Sequence, residues 1–367
     1  QPDEAGFRRD CLYGAIVSYQ KALKEEQGLD DLKKLEARQA LRQTGAAYLA
    51  SYASGEEAPE VAFNVAWVAY EQGDYGTALA GFKDFIRQYP QSKEAKAAGH
   101  LILDIRKSLD DIEGLVADAR SLLADRKIAD PDFRKEVEAI LVASERRQLE
   151  ELTVRVKDGV EGSESALAAL GMQAMDTGLR ETALYNVFVV SKQARQIPKT
   201  LETGRKLLEA FPQSQHRGDV ATTLAHFCFE AADFAGAAAW SERAAESVKA
   251  EEQAEHWLRA AMLYGWMGER RASVSSYRKA LPLLGAEKRL EAEKDLLEQL
   301  EEAGDWPAAA ELCASLMAEE PGKPQWAVRY GNALTRQGKA TEAYGAFEKA
   351  LALWSQKAGP AGGGSAE

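Results

Sequence analysis

Apolar residues along most of the chain recur every three or four positions, the spacing that places side chains on one face of an α-helix. Residues 64–90 show the pattern clearly. A first segment carries the small residues Ala66 and Ala69, a turn signal interrupts it at Gly73, and a second segment resumes with Phe82 on its apolar face. The pattern therefore predicts two helices joined by a short turn.

The same succession of helix, turn and helix recurs further along the chain. Clear copies cover 256–283, 291–321 and 325–351, and weaker copies cover 181–250. The turns are predicted at Arg195, Ala232, Gly268, Gly304 and Gly338. The steps between them are 37, 36, 36 and 34 residues. A nearly fixed period of this size indicates stacked repeats, because one helix pair buries only one face and needs a neighbour to cover the other.

The copies resemble the tetratricopeptide repeat, a helix-turn-helix unit of 34 residues. The shared features are the small pair in the first helix, the turn Gly73-Asp74-Tyr75, Ala78 and an aromatic residue four positions later, and a closing proline such as Pro90. The resemblance implies an all-α fold, namely a right-handed superhelical solenoid of antiparallel helix pairs. It also implies a non-catalytic scaffold or adaptor that binds other proteins.

The clarity of the repeat suggests how the chain is organised. Residues 1–56 predict an N-terminal helical pair that caps the stack, and residues 57–157 predict a first repeat block that ends in a long helix. A Gly-rich polar stretch predicts a joint over 158–180. A second repeat array follows over 181–354. The Gly/Pro/Ala/Ser-rich residues 355–367 predict a flexible tail.

Composition removes some classes of function. The formal net charge is −12 and the pI is about 5.1. So acidic a surface repels phosphate backbones, and we expect no nucleic-acid partner. No apolar run reaches the ~20 residues that a membrane-spanning helix needs. The sequence begins with Gln1 rather than Met, so we expect a processed or engineered fragment whose targeting segment is not visible.

The sequence offers no constellation that would carry chemistry. It contains neither a Gly-rich phosphate loop after a strand nor the motifs of serine hydrolases or zinc proteases. Its four histidines are far apart. Cys11, Cys228 and Cys313 show neither disulfide nor metal spacing, and we interpret each as a small buried hydrophobic residue. We therefore predict no catalytic, cofactor-binding or metal-binding residue and no small-molecule substrate.

In tetratricopeptide proteins the first helix of each pair lines the inner wall of the curved stack. Helical periodicity selects the residues that lie beside the packing face and could contact a peptide or a helix in the concave groove. The predicted partner-binding residues are Phe63, Trp67, Tyr70, Tyr185, His226, Phe229, Trp266, Asn332 and Arg336. Large aromatic side chains on an accessible wall are typical anchors for a partner. The alternative is that each packs against the neighbouring hairpin or the tail.

One subtype of the family is tested by its pattern. Members that bind chaperone tails hold a terminal carboxylate with a Lys and an Asn four positions apart on a first helix. The corresponding pairs here include Phe63 with Trp67 and Leu258 with Met262, and none matches. A role as a chaperone co-factor is therefore not expected.

The ends of two copies, Tyr89 to Ser92 and Phe211 to Ser214, resemble tetratricopeptide proteins of the bacterial cell envelope. Those proteins serve outer-membrane assembly, envelope coordination or surface motility machines. The resemblance favours a periplasmic or outer-membrane-associated location, with the cytoplasm as the alternative. Two other functions stay open, a self-assembling structural subunit and a binding module of a larger protein with an enzymatic domain outside this fragment.

Overall fold

A computed structural model describes residues 4–24, 30–124, 128 and 130–358 of the chain. Over these ranges it contains eighteen α-helices, one short 3-10 helix at Leu281–Leu283 and no strand. Helices α1 to α18 are, in order, Glu4–Lys24, Asp31–Tyr52, Ala58–Glu71, Tyr75–Gln88, Ala95–Ser108, Ile112–Ala124, Pro131–Lys157, Ser163–Gln173, Thr177–Gln193, Ile197–Ala210, Arg217–Glu230, Phe234–Ala245, Ala250–Trp266, Arg270–Ala280, Ala286–Ala303, Trp306–Glu319, Pro324–Arg336 and Ala340–Ala358. The all-α class predicted from the sequence is confirmed.

The helices form antiparallel pairs, as the repeat predicts. In the first unit α3 packs on α4 and α5 on α6, and in the second unit α11, α13, α15 and α17 each pack on the helix that follows. The second helix of a pair also contacts the first helix of the next pair, as α4 contacts α5 and α14 contacts α15. Because each pair contacts the next one, the apolar sides of a helix pair are buried both within the pair and against its neighbour. The handedness of the superhelix stays a prediction.

The chain divides into two compact units, one ending at Ala183 and the other beginning at Leu184. The division falls within α9. The stretch 158–180, where the sequence suggests a joint, contains α8, and α8 packs against the long helix α7. Its side chains Leu167 and Leu170 are buried. This stretch is therefore part of the packed first unit.

Every predicted turn of the second array contains a residue in the left-handed region. The φ angles are 51° at Arg195, 59° at Ala232, 80° at Gly268, 72° at Gly304 and 78° at Gly338. A single residue of this conformation ends a helix and reverses the chain at small cost when it is glycine. The repeat period read from the sequence is thus the period of these chain reversals.

The turn after α3 shows how the local sequence directs the fold. Gly73 has a φ of 72°, and the backbone N–H of Asp74 donates to the carbonyl of Ala69 at 3.0 Å. The carboxylate of Asp74 then accepts the backbone N–H of Thr77 at 3.2 Å and caps α4. One glycine ends the first helix and one aspartate starts the second.

Small residues bring the two helices of a pair close together, as the repeat pattern implies. A Cβ atom on Gly331 of α17 would lie only 2.7 Å from the ring of Phe347 on α18. A Cβ atom on Gly81 of α4 would lie 2.8 Å from that of Ala66 on α3. The helices approach closely at these small residues, and large side chains such as the fully buried Phe82 fill the rest of the interior.

Two expectations from the sequence differ from the structure. Helix α18 continues to Ala358, so residues 355–358 of the predicted tail are helical, and residues 359–367 lie outside the described residues.

Cys228 and Cys313 are buried as expected, and burial raises the pKa of both thiols, that of Cys313 to about 12. Cys11 is exposed, so its interpretation as a buried residue was wrong. It lies on α1, the first helix of the described chain.

Candidate functional site

The first helices of the second unit lie side by side. Polar contacts between successive first helices join Lys192 to Asp219 at 3.0 Å, Thr222 to His256 at 3.4 Å, Lys288 to Glu255 at 3.8 Å and Arg329 to Glu301 at 2.7 Å. These contacts link α9, α11, α13, α15 and α17 in turn. We call the surface that they form the first-helix surface. The residues predicted to bind a partner in this unit all belong to it.

A groove of about 510 Å³ lies between α11 and α13 on this surface. Its lining residues are His226, Phe229, Glu255, Leu258, Arg259, Met262, Leu263 and Trp266. We call it the Trp266 groove. It brings together three residues that the sequence selected, His226, Phe229 and Trp266, from two different repeats.

The Trp266 groove is apolar and open. Trp266 is 65% exposed, Met262 45% and Phe229 43%. Large apolar side chains of this kind mark an interaction surface when they are contiguous, because covering them with another apolar surface releases their hydration water. Methionine adds an adaptable, polarisable side chain that can fit partners of different shape.

The groove wall is fixed by a residue that the sequence reasoning missed. The ring of Phe234 lies 5.8 Å from that of Phe229 and 6.4 Å from that of Trp266, which it meets edge-on at 85°. Phe234 is the first residue of α12, after the capping residue Asp233. Neither Phe234 nor Met262 was among the predicted partner-binding residues, and Met262 was considered only as half of an unmatched carboxylate-binding pair. Met262 lies one helical turn before Trp266 on α13, and this register was the available signal for it.

Charged groups form the rim of the Trp266 groove. Nε2 of His226 lies 3.2 Å from the carboxylate of Glu230. The same carboxylate accepts a hydrogen bond from the guanidinium of Arg195 at 3.0 Å. His256 on α13 is buried. Its burial, and to a smaller extent the positive charge of Arg259, lowers the pKa of its imidazole. The imidazole of His256 is therefore held in its neutral form more strongly than a free histidine.

The neighbouring first helix, α15, presents carboxylates to solvent. Its exposed residues Glu291, Asp295, Glu298 and Glu302 are spaced four, three and four positions apart and share one face. We call them the α15 acidic row. Burial and then the charges of Glu298 and Glu291 raise the pKa of Asp295. The smaller contributions of Glu298 and Glu291 indicate negative charge on this face of α15, whereas Glu302 is paired with Arg270 at 2.6 Å.

Asn332 and Arg336 lie in a different pocket of the first-helix surface. It measures about 750 Å³ and is lined by Glu301, Trp306, Arg329, Asn332, Thr335 and Arg336. The guanidinium of Arg336 lies 5.5 Å from the ring centroid of Trp306, and Arg329 forms a two-pronged ion pair with Glu301 at 2.9 and 2.7 Å. The pocket is polar, so it differs in chemistry from the Trp266 groove.

For Tyr185 the structure favours the packing alternative. Its ring stacks on the imidazole of His216 with centroids 3.6 Å apart, and its hydroxyl lies 3.4 Å from a carboxylate oxygen of Asp219. Burial, then the charge of Asp219, raises the pKa of Tyr185. The side chain thus joins α9 to the start of the next repeat.

The three predicted residues of the first unit also pack within it. The ring of Phe63 lies 5.6 Å from that of the buried Phe82. The ring of Trp67 stacks on Phe63 with centroids 6.2 Å apart and is tilted against Tyr70 at 5.5 Å. Tyr75 of α4 continues the series at 5.9 Å from Tyr70. All three are half-buried and contact the core of the first unit.

Among the described residues no group of three or more His, Cys, Asp or Glu side chains could hold a metal ion. No helix over the same residues has the length and apolarity to cross a bilayer.

Comparisons with known proteins place these features in context. The sequence model of the YfiO family, described as an outer membrane lipoprotein, matches residues 19–135, about a third of the chain. No curated protein matches the chain. The match thus covers part of α1, helices α2 to α6 and the start of α7.

Several solved structures are similar to this chain. A MamA protein is 18% identical, with 49% of this chain and 95% of that chain covered and a TM-score of 0.31. YrrB, described as a TPR protein with an unusual peptide-binding site, is 15% identical, with 47% and 84% covered and a TM-score of 0.32. A tetratricopeptide repeat protein from Parabacteroides merdae is 11% identical, with 78% and 98% covered and a TM-score of 0.26.

These TM-scores are too low to support an argument about function. The repeat class of the fold is evident from the chain's own features. The antiparallel pairs, the left-handed residue in each turn and the period of 34 to 37 residues are those of one repeat class. The chain has the fold of a tetratricopeptide-type helical repeat, and its residues 19–135 match the sequence model of the YfiO outer membrane lipoprotein family.

Proposed function

We propose that the chain is a non-catalytic scaffold whose Trp266 groove binds a segment of a partner protein. The observation that supports this proposal most directly is the exposure of Trp266, Met262 and Phe229 in one groove between two repeats. Tryptophan is among the residues that dominate binding energies in protein interfaces, and phenylalanine and methionine are enriched at the centre of such interfaces. Both α11 and α13 contribute side chains to the groove, so a bound segment would contact two repeats.

The charges beside the groove indicate the chemistry of the segment. The α15 acidic row adjoins α13, and the contact between Lys288 and Glu255 shows that the two helices are neighbours. A segment that seats a large apolar side chain against Trp266 therefore passes a row of carboxylates. Charge complementarity favours lysine or arginine next to the apolar anchor, and disfavours an acidic segment.

The match to an outer membrane lipoprotein family supports a place in the bacterial envelope. We therefore propose that the partner is a component of an envelope or outer-membrane complex.

The test begins with selection of random 12-residue displayed peptides on the purified chain. We expect the selected peptides to combine a Leu, Phe or Trp anchor with flanking Lys or Arg. Fluorescence titration of one selected peptide then compares wild type with the double variant Trp266→Ala and Met262→Ala. We expect the affinity to fall tenfold or more, about 1.4 kcal/mol per factor of ten.

Met172→Ala is the matched control, since Met172 is exposed on α8 outside the groove. It should bind like wild type. Glu298→Lys should weaken the basic peptide and reduce the dependence of its affinity on salt concentration. Selected peptides that bind the double variant as tightly as wild type would contradict the groove, and acidic selected peptides would contradict the proposed charge preference.

A further inference from the structure

A contact between successive repeats recurs along the second unit. The residue two positions before a turn lies against the residue two positions after the preceding turn. Trp266 meets Phe234 in this way, with ring centroids 6.4 Å apart. Glu302 of the next repeat meets Arg270, and the two form an ion pair at 2.6 Å. The same position thus holds an apolar pair in one repeat and a neutralised charge in the next.

The following repeat places a cation at this position without a matching anion. Arg336 lies two positions before Gly338, and its guanidinium lies 5.5 Å from the ring centroid of Trp306. An indole attracts a cation but does not neutralise its charge. The pocket that Arg336 lines contains one carboxylate, that of Glu301, and Arg329 already pairs with it at 2.7 Å. Within the described residues no carboxylate forms an ion pair with Arg336.

The polar pocket of Asn332 and Arg336 has the donors that a carboxylate requires. Both side chains are exposed and lie one helical turn apart on α17. A guanidinium that covers an aromatic ring with its face keeps N–H groups in its own plane, where they pair well with a carboxylate. The amide of Asn332 adds two N–H donors. We call the cavity of about 750 Å³ that they share with Glu301, Trp306, Arg329 and Thr335 the Arg336 pocket.

We propose that the Arg336 pocket holds a carboxylate of the same partner segment whose apolar anchor occupies the Trp266 groove, an assignment that rests on the function proposed above. The lining carries two arginines and one glutamate, so the pocket is positive in a chain whose net charge is −12. Charge complementarity therefore favours an anionic group here. An Asp or Glu side chain and the C-terminus of the segment supply the same carboxylate chemistry.

The repeat sets the distance between the two sites. Trp266 and Arg336 hold equivalent positions two repeats apart, on α13 and α17, with α15 between them. Packed helices lie about 10 Å apart, so the two side chains are separated by roughly 20 Å. An extended segment rises about 3.3 Å per residue and crosses this distance in roughly six residues. On the way it passes the exposed Asp295 and Glu298 of the α15 acidic row. The expected segment therefore carries an apolar anchor, then Lys or Arg, and a carboxylate about six residues from the anchor.

The test uses one peptide selected on the wild-type chain and remade with a single Glu three, six or nine residues from its apolar anchor, on either side. A matching set carries Gln at the same places. Fluorescence titration should show that the Glu peptide with the six-residue spacing binds about fivefold tighter than its Gln counterpart, the upper range for a solvent-exposed charge pair. Raising the salt concentration should reduce this ratio.

A second set of peptides distinguishes the two sources of the carboxylate. A peptide that ends six residues after the anchor is compared as the free acid and as the amide. A preference for the free acid but not for the internal Glu assigns the pocket to a C-terminus, and the reverse assigns it to a side chain.

Two variants connect the carboxylate preference to the pocket. Arg336→Gln should remove the preference and leave the affinity for the Gln peptide unchanged. Arg271→Gln, which removes the same charge at an exposed arginine of α14 outside the pocket, should keep the preference. A purely structural role of Arg336 would instead lower the melting temperature and weaken the Glu and Gln peptides equally. The ratio of the two affinities therefore separates the two roles.

Wild type without any preference for a carboxylate overturns the proposal, and so does a preference that survives in Arg336→Gln. If the double variant Trp266→Ala and Met262→Ala still weakens every peptide in that case, the Trp266 groove stands and only the Arg336 pocket fails. Peptides whose affinity does not depend on Trp266 refute the proposed function itself, and with it a segment shared by the two sites.

Discussion

Helices α3 and α13 are both first helices of their repeats, but equivalent positions are covered in α3 and exposed in α13. Trp67 and Met262 each lie six residues before the turn glycine of their hairpin. Trp67 is half-buried between Phe63 and Tyr70, with ring centroids 6.2 and 5.5 Å away. Met262 is 45% exposed and lines an open groove.

The residue three positions before the turn explains much of the difference. It is Tyr70 in α3, whose ring lies 5.5 Å from that of Trp67, and Gly265 in α13, which has no side chain that could cover Met262. A Cβ atom on Gly265 would lie 3.1 Å from Gln299 of the neighbouring α15. The glycine thus brings α13 and α15 together while leaving the wall in front of Met262 open. An aromatic residue on a first helix can contact a partner only where the neighbouring side chains leave its ring exposed.

The largest expected effect comes from removing the core aromatic behind α3. Phe82→Ala should lower the free energy of unfolding of the first unit by about 3–5 kcal/mol, because it leaves a cavity and removes the ring that supports Phe63. Phe229→Ala, at an exposed aromatic of the second unit, should cost less than about 1 kcal/mol. Thermal unfolding followed by calorimetry compares the two. A loss as small for Phe82→Ala as for Phe229→Ala would show that the core of the first unit does not depend on this ring.

The comparison of α3 with α13 is tested directly by two tryptophans. Trp67→Ala should lower the unfolding free energy by about 2 kcal/mol, since its ring packs against Phe63 and Tyr70 and the adjoining core. Trp266→Ala should lower it by less than about 1 kcal/mol, since the ring is 65% exposed. Chemical denaturation of both variants measures the difference. Equal losses would make Trp266 a structural residue and remove the basis for the binding groove.

The hairpin turns of the two regions predict effects of opposite sign. The turn before Phe82 uses Gly73 at a φ of 72°, whereas the turn after Phe229 uses Ala232 at 59°. Gly73→Ala should destabilise by about 1–2 kcal/mol, because an L-residue pays this cost in the left-handed region. Ala232→Gly should stabilise by up to about 1 kcal/mol for the same reason. Melting temperatures report both, and a Gly73→Ala variant as stable as wild type would argue against the left-handed turn.

The smallest expected effect concerns pH and the groove wall. Burial, followed by Arg259, lowers the pKa of His256 in the folded chain. As the pH falls below the ordinary value of 6.5, the unfolded chain binds a proton first, so stability declines until the pH passes the lowered folded pKa. His256→Gln should reduce that part of the decline. Melting curves of the variant and wild type between pH 8 and 5.5 test this, and parallel curves would show that His256 does not contribute.

The sequence determined the repeat in detail. Its period located the turn within each helix pair of the second array, including the turns at Arg195 and Ala232 where no glycine marks the position. The reason is that a helix pair is a local structure, in which caps such as Asp74 and helical spacing within about 30 residues decide the conformation. The all-α class and the helix pairs follow from these local signals.

The candidate site was only partly accessible to the same reasoning. Periodicity chose His226, Phe229 and Trp266, and these line one groove. It also chose Phe63, whose ring lies against the buried Phe82, and Tyr185, which stacks on His216. Periodicity gives the direction of a side chain from its own helix axis and contains no information about what the adjacent helix places there.

The tertiary structure decided which apolar residues remain open. Phe234 supports Trp266 across a turn, Gly265 leaves Met262 uncovered, and Tyr344 on α18 is exposed where its repeat equivalent Leu79 is buried. Each of these outcomes depends on a neighbour from another helix, and the contact is set by packing between repeats. The sequence by itself therefore determined the repeating unit, whose signals are local, whereas burial and exposure came from the assembled repeats, because covering an apolar face requires a second surface.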